Sequence, residues 1–385
     1  METESKEEMK VVLTKPLSLD SIDPYDQYKA PNMLQRVLSF FKNVRPGSDL
    51  TRLQLPPVFN IPKSQLQCYG ESAYCVSDDL LGKCNIGENS IERFKAVLAW
   101  NISTLRPLNF GVAPYNPILG ETHHVSRGTL NVLIEQISHH PPVTALHAMD
   151  DKENIELLWC QHPVPKFYGT WVEVEVRGKR ELKLLNHEET YVMKSPNLLF
   201  KFFPPGVEWG GSDRLRCLET GLTAELTYGG RSFLGLRGTP RSIKGKIFNS
   251  YSNEPLFEIN GQWDKSVTLK DLNNGEVKVL YSAKEAISGL KTPIVKDPNG
   301  VWKSESAVVW SEVSQGIMNR DWGKAREAKK SIEENQRVLL AERNLNSETW
   351  VPKHFTVLYN KENGWDCSPI VKTVPPAPIV VPLNN

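Results

Sequence analysis

The chain has 385 residues, a formal net charge of +1 and a hydrophobic fraction of 39%. This fraction is sufficient for a folded core, and the near-zero net charge argues against a nucleic-acid-binding protein, which usually carries a basic excess. No apolar run approaches the roughly 20 residues that a membrane-spanning helix needs, and residues 1–10 lack the apolar stretch of a secretory signal.

Cysteine use bears on the cellular compartment. Six cysteines occur, at positions 68, 75, 84, 160, 217 and 367, and none of them form a C-x-x-C pair. In a chain of this size without a secretory signal, we expect reduced thiols in a cytoplasmic protein, with a disulfide framework as the alternative.

The first predicted element follows a polar segment, residues 1–29, which we expect to be mobile. A helix is predicted from Asn32 to Val44 because apolar residues recur at helical spacing, and Pro46-Gly47 ends it. The helix is either an ordinary core helix or a lid, over about residues 30–47, that covers a cavity or dips into a membrane surface. Its apolar face consists of Met33, Leu34, Val37, Leu38, Phe41 and Val44.

The middle of the chain is dominated by strand patterns. A second helix is predicted over Ile91–Ser103, and short strands follow Gly128. Residues 172–176 alternate between valine and glutamate, and Arg177-Gly178-Lys179 is interpreted as a hairpin turn. Asn273-Asn274-Gly275 is a strong hairpin signal. Many antiparallel strands in series, without helices between them, predict a sandwich or a barrel.

The C-terminal part returns to helical periodicity, over about residues 313–344. One apolar stripe is predicted there, and Lys329, Glu333 and Arg337 form a neighbouring stripe at four-residue spacing. A solvated salt-bridge face explains this triplet as well as a binding role does. A proline-rich tail, residues 373–385, is expected to wrap around the strands and then fray. The apolar stripe consists of Trp322, Ala325, Ile332 and Leu339.

The run Glu135-Gln136-Ile137-Ser138-His139-His140-Pro141-Pro142 is the most informative stretch of the chain. Pro141 favours an extended conformation at His140 and cannot donate to a sheet ladder, so the strand beginning at Leu130 should stop or bend there. Neighbouring side chains on a regular strand point to opposite faces, and only a bend can bring both imidazoles near one ligand. Two imidazolium rings would form a good clamp for a phosphomonoester, because each offers two donors.

This octapeptide closely resembles the signature of the oxysterol-binding-protein-related family of lipid-transfer proteins. The stretch 115–122, Tyr-Asn-Pro-Ile-Leu-Gly-Glu-Thr, resembles the second conserved segment of that family, and the helical triplet resembles the third. The resemblance runs from about Asn32 to about Lys372 and is closest to a short, plant-like form that consists of the lipid-binding domain alone.

The resemblance implies a mainly β fold: a large incomplete antiparallel barrel over residues 30–372, with an N-terminal amphipathic lid and C-terminal helices. It implies phosphatidylinositol 4-phosphate and a sterol or other neutral lipid as partners, transient contact with membranes, no cofactor and no enzymatic activity. The implied head-group residues are His139 and His140 for the 4-phosphate, Lys329, Glu333 and Arg337 at the mouth of the barrel, and Asn116 in the polar loop.

Alternative readings of the same residues stay open. A metal site would need more than the adjacent pairs His123-His124 and His139-His140, which lack the H-x-H or H-x-x-x-H spacing of metal ligands, and His123-His124 is interpreted as solvated or structural. Gly120 either allows a close backbone approach or occupies an ordinary turn. No cysteine-phosphatase loop, lipase elbow or phosphate-binding P-loop occurs.

One residue departs from the family pattern. Most members have lysine three residues before the asparagine of the second motif, whereas this chain has Ala113 before Asn116. Weaker phosphoinositide binding is therefore expected, unless a base such as Arg106 replaces the lysine. The expected function is exchange of phosphatidylinositol 4-phosphate for a neutral lipid, in the cytoplasm and at the surface of membranes such as the endoplasmic reticulum or the Golgi. The alternatives are a lipid sensor or scaffold, and a head-group enzyme with His140 as general base.

Overall fold

The computed structural model describes residues 9–21, 28–76, 80–229, 239–361 and 364–383. Strands dominate this part of the chain. They are β1 (Asn60–Ser64), β2 (Ala113–Tyr115), β3 (Thr122–Arg127), β4 (Leu130–His139), β5 (Pro142–Asp150), β6 (Ile155–Phe167), β7 (Trp171–Leu184), β8 (Glu189–Met193), β9 (Asn197–Phe202), β10 (Pro205–Cys217), β11 (Leu222–Tyr228), β12 (Ser242–Asn249), β13 (Pro255–Gln262), β14 (Ser266–Asp271), β15 (Val277–Ser282), β16 (Ile294–Val295), β17 (Phe355–Asn360), β18 (Gly364–Pro369) and β19 (Ile379–Val380).

Fifteen of these strands form one sheet, ordered β15-β14-β13-β12-β11-β10-β8-β7-β6-β5-β4-β3-β19-β16, with β9 paired to β7 and β10. The pairs from β3 to β15 are antiparallel, and β19 runs parallel to β3. The end strands β15 and β16 do not pair with each other, so the barrel is incomplete. The prediction of a mainly β, incomplete antiparallel barrel is confirmed.

The helices lie before and after the long strand series. Two of them have the N-terminal caps that their sequences favour: Ser64 and Gln67 form a capping box on the helix Gln65–Tyr74, and the Asn89 side chain accepts from the backbone N–H of Glu92 on the helix Ser90–Ser103. The helices are α1 (Met33–Phe41), α2 (Gln65–Tyr74), α3 (Leu80–Lys83), α4 (Ser90–Ser103), α5 (Ala283–Ile287), α6 (Ser306–Val309), α7 (Ser311–Met318) and α8 (Trp322–Leu345).

These bounds agree with most of the helix predictions. Helix α4 begins one residue before the predicted Ile91, whereas α1 ends three residues before the predicted Val44. The single C-terminal helical region is divided between α7 and α8. Asp321 begins α8 by accepting a hydrogen bond from the backbone N–H of Lys324.

The core lies on the inner face of the sheet, where α2 and α4 pack. Leu66 of α2 and Trp100 of α4 belong to the same buried cluster as Ile134 of β4, Leu215 of β10 and Ile247 of β12. Strands from distant parts of the sheet therefore surround the same two helices. Because side chains alternate along a strand, these buried residues identify the face of each strand that is inside.

One of the two turn predictions is wrong. The hairpin at Asn273-Asn274-Gly275 is present, with Gly275 at a φ of 75°. By contrast, β7 runs without interruption through Arg177-Gly178-Lys179 and pairs with β6 along its whole length. A Cβ at Gly178 would lie 1.9 Å from the carbonyl oxygen of Cys160, so this glycine permits a close approach between strands instead of a turn.

Both termini contact the fold where they are described. Leu17 is buried, and the backbone N–H of Val12 donates to the carbonyl of Ala307 at 2.9 Å. Residues 9–21 of the segment expected to be mobile thus pack on the core, while residues 1–8 and 22–27 lie outside the described residues. In the tail, Ile379 is buried in β19.

Candidate functional site

The two histidines of the octapeptide lie at the turn between β4 and β5. His139 is the last residue of β4 and is in register with Pro142, the first residue of β5, so His140 and Pro141 form the turn. A register shift between Gln136 and Ser138 precedes them. The two ring centroids are 4.5 Å apart. The prediction that the strand bends and brings both imidazoles together is confirmed.

The hydrogen bonding of His139 fixes the orientation of its ring. Its Nδ1 donates to the carbonyl oxygen of Pro117 at 2.8 Å, which leaves Nε2 for a ligand. Burial, followed by the proximity of His140, lowers the pKa of His139. Burial and the nearby Arg52 lower the pKa of His140. Both rings are therefore predominantly neutral near pH 7 in the free protein. A bound anion would raise their pKa and favour the protonated form.

Arg52 lies near the histidine pair, which the sequence analysis did not predict. It lies in the exposed segment after α1, close enough to His140 to lower the pKa of that imidazole. No motif surrounds Arg52 in the sequence, and only the folding of this segment against β6 brings its positive charge to the histidines. Backbone hydrogen bonds link that segment to the strand, from Leu50 N–H to the Pro165 carbonyl and from Phe167 N–H to the Ser48 carbonyl.

The loop after β2 is held in place by Glu121. This carboxylate is fully buried and accepts hydrogen bonds from the hydroxyls of Ser64 and Ser306, the indole N–H of Trp310 and the backbone N–H of Ile118, at 2.5–3.0 Å. Burial raises the pKa of the Glu121 carboxyl, and these four donors oppose the rise. Glu121 thus positions the loop whose Pro117 carbonyl receives His139.

Gly120 satisfies both interpretations that the sequence left open. Its φ of 76° is typical of a turn, and its backbone N–H donates to the carbonyl of Gln136 at 3.0 Å. A Cβ on Gly120 would also lie 2.6 Å from the ring of Trp350. The glycine therefore permits a close approach between this loop, strand β4 and the segment after α8.

The first residues of the octapeptide have structural contacts. The buried carboxylate of Glu135 accepts from the backbone N–H groups of Lys353 and His354, at 2.8 and 2.9 Å. The side-chain amide of Gln136 accepts from the hydroxyl of Thr144 and donates to the carbonyl of Ser138. The octapeptide therefore combines an anchored strand, at its first residues, with the accessible histidine pair at its end.

Lys329 is brought to the same region, but its side chain points inward. Its Nζ donates to the carbonyl of Leu55 at 2.5 Å and to Oδ1 of Asn60 at 2.8 Å. The Asn60 amide in turn donates to the carbonyls of Ala113 and Pro114, at 3.1 and 3.2 Å. Burial lowers the pKa of Lys329 to about 8, an effect that Glu333 opposes. Asn60, which no sequence pattern singled out, thus connects α8 to the strand that precedes the polar loop.

The other predicted head-group residues lie nearer to solvent. Glu333 and Arg337 follow Lys329 along α8, and their charged atoms are 3.9 Å apart, a loose ion pair. Arg337 and Asn116 are exposed and accessible to a ligand. Arg106 does not reach these exposed residues, because its guanidinium is buried and donates to the carbonyls of Glu71 and Cys75. The idea that Arg106 replaces the family lysine is therefore wrong.

The predicted lid covers one end of the inner face. Val37 is buried, and Met33, Leu38 and Phe41 are partly buried against an apolar cluster. Leu34 is half-buried. The ring of Phe41 stacks on that of Phe167 with centroids 5.1 Å apart. The cluster consists of Leu50, Phe59, Phe167, Val172 and Phe202.

Half-buried apolar side chains occupy the inner face between this lid and the core. Val172 and Val174 lie on the face of β7 that carries the core residue Leu182, because residues two apart share a face. Leu198 of β9 belongs to the same face because it is paired with Val174, and Val176 belongs to it because it lies two residues from Val174 along β7. Lipid tails or rings would find an apolar surface at this level, with the lid above it.

The second histidine pair is structural, in agreement with one of the two predicted alternatives. His123 is buried, with Nδ1 2.6 Å from a carboxylate oxygen of Glu305 and Nε2 2.9 Å from the hydroxyl of Tyr74. His124 Nε2 donates to the carbonyl of Pro375 at 2.9 Å. In the described parts of the chain, no group of three histidine, cysteine or acidic side chains has the geometry of a metal site.

The sequence profile of the family described as "Oxysterol-binding protein" matches residues 36–315, which include the histidine pair, the polar loop and most of the sheet. The chain belongs to this family. Oxysterol-binding protein-related protein 4C of Arabidopsis thaliana is 55% identical over 377 residues, covering 97% of this chain and 99% of that protein. Protein 4A of the same plant is 52% identical and covers 99% of each chain.

A further relative matches in part of its length, and two solved structures share the fold. Human oxysterol-binding protein-related protein 8 is 30% identical over 83% of this chain, which spans 37% of that longer protein. The Osh1 ORD domain in complex with cholesterol superposes with a TM-score of 0.75 at 20% identity, covering 93% of this chain and 90% of that one. The Osh3 ORD of Saccharomyces cerevisiae in complex with PI(4)P superposes with a TM-score of 0.66 at 21% identity, covering 92% and 93%.

The fold comparison agrees with the large antiparallel sheet and the C-terminal helices. In the described part of the chain, no helix is both long and apolar enough to cross a bilayer.

Proposed function

We propose that this protein carries lipids between membranes and exchanges phosphatidylinositol 4-phosphate for a sterol or another neutral lipid in one interior site. The observation that carries this proposal is the imidazole pair, with centroids 4.5 Å apart, at the same end of the sheet as the helix α1 that covers the apolar inner face. Charged and titratable residues above an apolar interior suit a lipid with a phosphorylated head group.

The proposed head-group contacts follow from the available donors. His139 would present Nε2 to the 4-phosphate because Nδ1 is already bonded to Pro117. His140 and Arg52 would add positive charge beside it. Arg337 would offer a planar, forked contact to phosphate, whereas Lys329 would act as a point charge.

The polar loop and Glu333 would recognise the inositol ring. Asn116 is exposed and can donate to hydroxyls or phosphate, and the Glu333 carboxylate can accept from hydroxyls. Apolar burial, at about 25 cal/mol per Å², would supply affinity for either cargo with little head-group selectivity. The head-group residues would then distinguish the inositol lipid from a neutral lipid.

Two measurements test this function together. Native mass spectrometry of the purified protein should reveal one bound lipid per chain, either an inositol phospholipid or a neutral lipid. A transfer assay between donor and acceptor vesicles should then show movement of labelled lipid, which a static sensor or scaffold would not produce. Product analysis after incubation with radiolabelled phosphatidylinositol 4-phosphate should recover the intact lipid, whereas a cleaved head group would indicate an enzyme.

We further propose that the protein acts in the cytoplasm and at the surface of membranes, such as the endoplasmic reticulum or the Golgi. The family membership and the proposed exchange of lipids support this assignment. Fractionation of cells into cytosol and membranes tests it, since an exchanging protein should divide between the two fractions.

A further inference from the structure

Exposed aromatic residues lie at one end of the sheet, in two turns that have no part in the proposed head-group site. Phe203 lies in the turn between β9 and β10 and is 61% exposed. Tyr168, in the turn between β6 and β7, is also exposed, and its ring stacks on that of Trp171 at 5.1 Å. We name these three residues the aromatic rim.

The two turns that carry the aromatic rim are hydrogen-bonded to each other. The backbone N–H of Phe202, next to Phe203, donates to the carbonyl of Thr170 in the neighbouring turn at 2.9 Å. The same end of the sheet carries the turn between β4 and β5 with the histidine pair, because alternate turns of an antiparallel sheet lie at the same end. The aromatic rim thus lies at the same end of the sheet as the proposed head-group site.

Positive charge accompanies these aromatic residues. Lys42 and Arg45 are exposed in the segment after α1. That segment lies beside the rim, because Gly47 N–H donates to the Phe167 carbonyl at 2.6 Å. In the described part of the chain, neither Lys42 nor Arg45 takes part in an ion pair. Lys201 is nearby but is neutralised by Glu208.

We propose that the aromatic rim, together with Lys42 and Arg45, is the surface that binds an anionic lipid bilayer, with Phe203 inserted among the acyl chains. This inference rests on the proposed function, since a lipid carrier must present its opening to a membrane. Aromatic side chains favour the boundary between water and acyl chains, and unpaired basic side chains favour anionic head groups. This combination of chemistry matches a bilayer better than it matches an acidic peptide, which would leave Phe203 in water.

The test compares Phe203→Ser with Tyr251→Ser in co-sedimentation with vesicles of phosphatidylcholine and phosphatidylserine that contain no phosphoinositide. Tyr251 is a matched control because it is 73% exposed in the turn between β12 and β13, at the opposite end of the sheet. Phe203→Ser should weaken vesicle binding about tenfold, as expected for a phenylalanine side chain that no longer leaves water. Tyr251→Ser should bind like the unmodified protein.

A charge variant tests the basic part of the surface. Lys42→Gln combined with Arg45→Gln should weaken binding to anionic vesicles about 25-fold, from roughly fivefold per charge, and leave weak binding to pure phosphatidylcholine unchanged. Lys152→Gln is the matched control, since Lys152 is exposed in the turn between β5 and β6 at the far end.

Equal vesicle binding by Phe203→Ser and Tyr251→Ser would overturn the proposal and favour a protein partner for the rim. Loss of bound cargo in Phe203→Ser at unchanged vesicle binding, measured by native mass spectrometry, would also overturn it and assign Phe203 to the cargo site. A protein with no bound lipid and no transfer activity would instead refute the proposed function, while the vesicle comparison would remain interpretable.

Discussion

Replacement of the histidine pair tests the proposed head-group site most directly. We expect the variants His139→Ala and His140→Ala each to lose about 1.5–3 kcal/mol of phosphoinositide binding, the usual strength of a charge-assisted hydrogen bond. This corresponds to a loss of roughly 10- to 150-fold in affinity. Sterol binding should change by less than about 0.5 kcal/mol, because a sterol lacks the phosphate.

The double variant should show that the two histidines act together. Because the ring centroids are 4.5 Å apart, protonation of one imidazole makes protonation of the other less favourable. Each single variant also removes this repulsion, so the two single losses added together should be smaller than the loss in the double variant. Phosphoinositide extraction by the double variant should fall below detection, while sterol binding is retained.

The assay is a competition between phosphatidylinositol 4-phosphate and a fluorescent sterol, followed by native mass spectrometry of the bound lipid. His187→Ala is the matched control, since His187 lies at the opposite end of the sheet and its Nε2 bonds to the carbonyl of Asn85. Circular dichroism would verify that each variant is folded. An equal loss of both lipids in a folded double variant would falsify the assignment of the pair to the phosphate.

The remaining predictions concern pH, the lid and the head-group residues of α8. Phosphoinositide affinity should fall as the pH rises from about 6 to 8, because burial lowers the pKa of both histidines and a bound phosphate raises it again, so binding takes up protons. The same titration of either single variant should show a shallower slope. Val37→Asp combined with Phe41→Asp should release the lid and accelerate cargo loss from a folded protein, and an unchanged off-rate would show that α1 is no lid. Arg337→Ala should weaken phosphoinositide binding more than Glu333→Ala, by about 1–2 kcal/mol in the competition assay, whereas negligible effects of both would indicate a surface ion pair.

Local signals in the sequence predicted those parts of the fold that neighbouring residues determine. Helix α4 and the hairpin at Asn273-Asn274-Gly275 were correctly predicted because caps, turn glycines and periodicity act over a few residues. The bend at His140-Pro141 was predicted for the same reason. Gly178 was misread because its role depends on the carbonyl of Cys160 on another strand, which no local pattern reveals.

The orientation of the charged side chains at the candidate site could not be predicted from neighbouring residues in the sequence. Helical spacing placed Lys329, Glu333 and Arg337 on one stripe, but only the packing of α8 beside Leu55 and Asn60 turns Lys329 inward. Arg52 was missed because its proximity to the histidines depends on contacts between its segment and β6. Residues whose role depends on contacts distant in sequence can therefore be identified from the structure but not from a sequence motif.

The replacement of the family lysine by Ala113 can be interpreted from where the remaining charges lie. Lys329 is separated from Ala113 only by the amide of Asn60, which bonds to both. Its pKa, lowered from 10.5 to about 8, reflects a charge whose burial costs about 3 kcal/mol, and an incoming phosphate would offset part of that cost. If Lys329 already supplies the missing charge, Ala113→Lys should add little and Lys329→Met should abolish phosphoinositide binding. If it does not, Ala113→Lys should tighten that binding, and the natural protein would favour its neutral cargo.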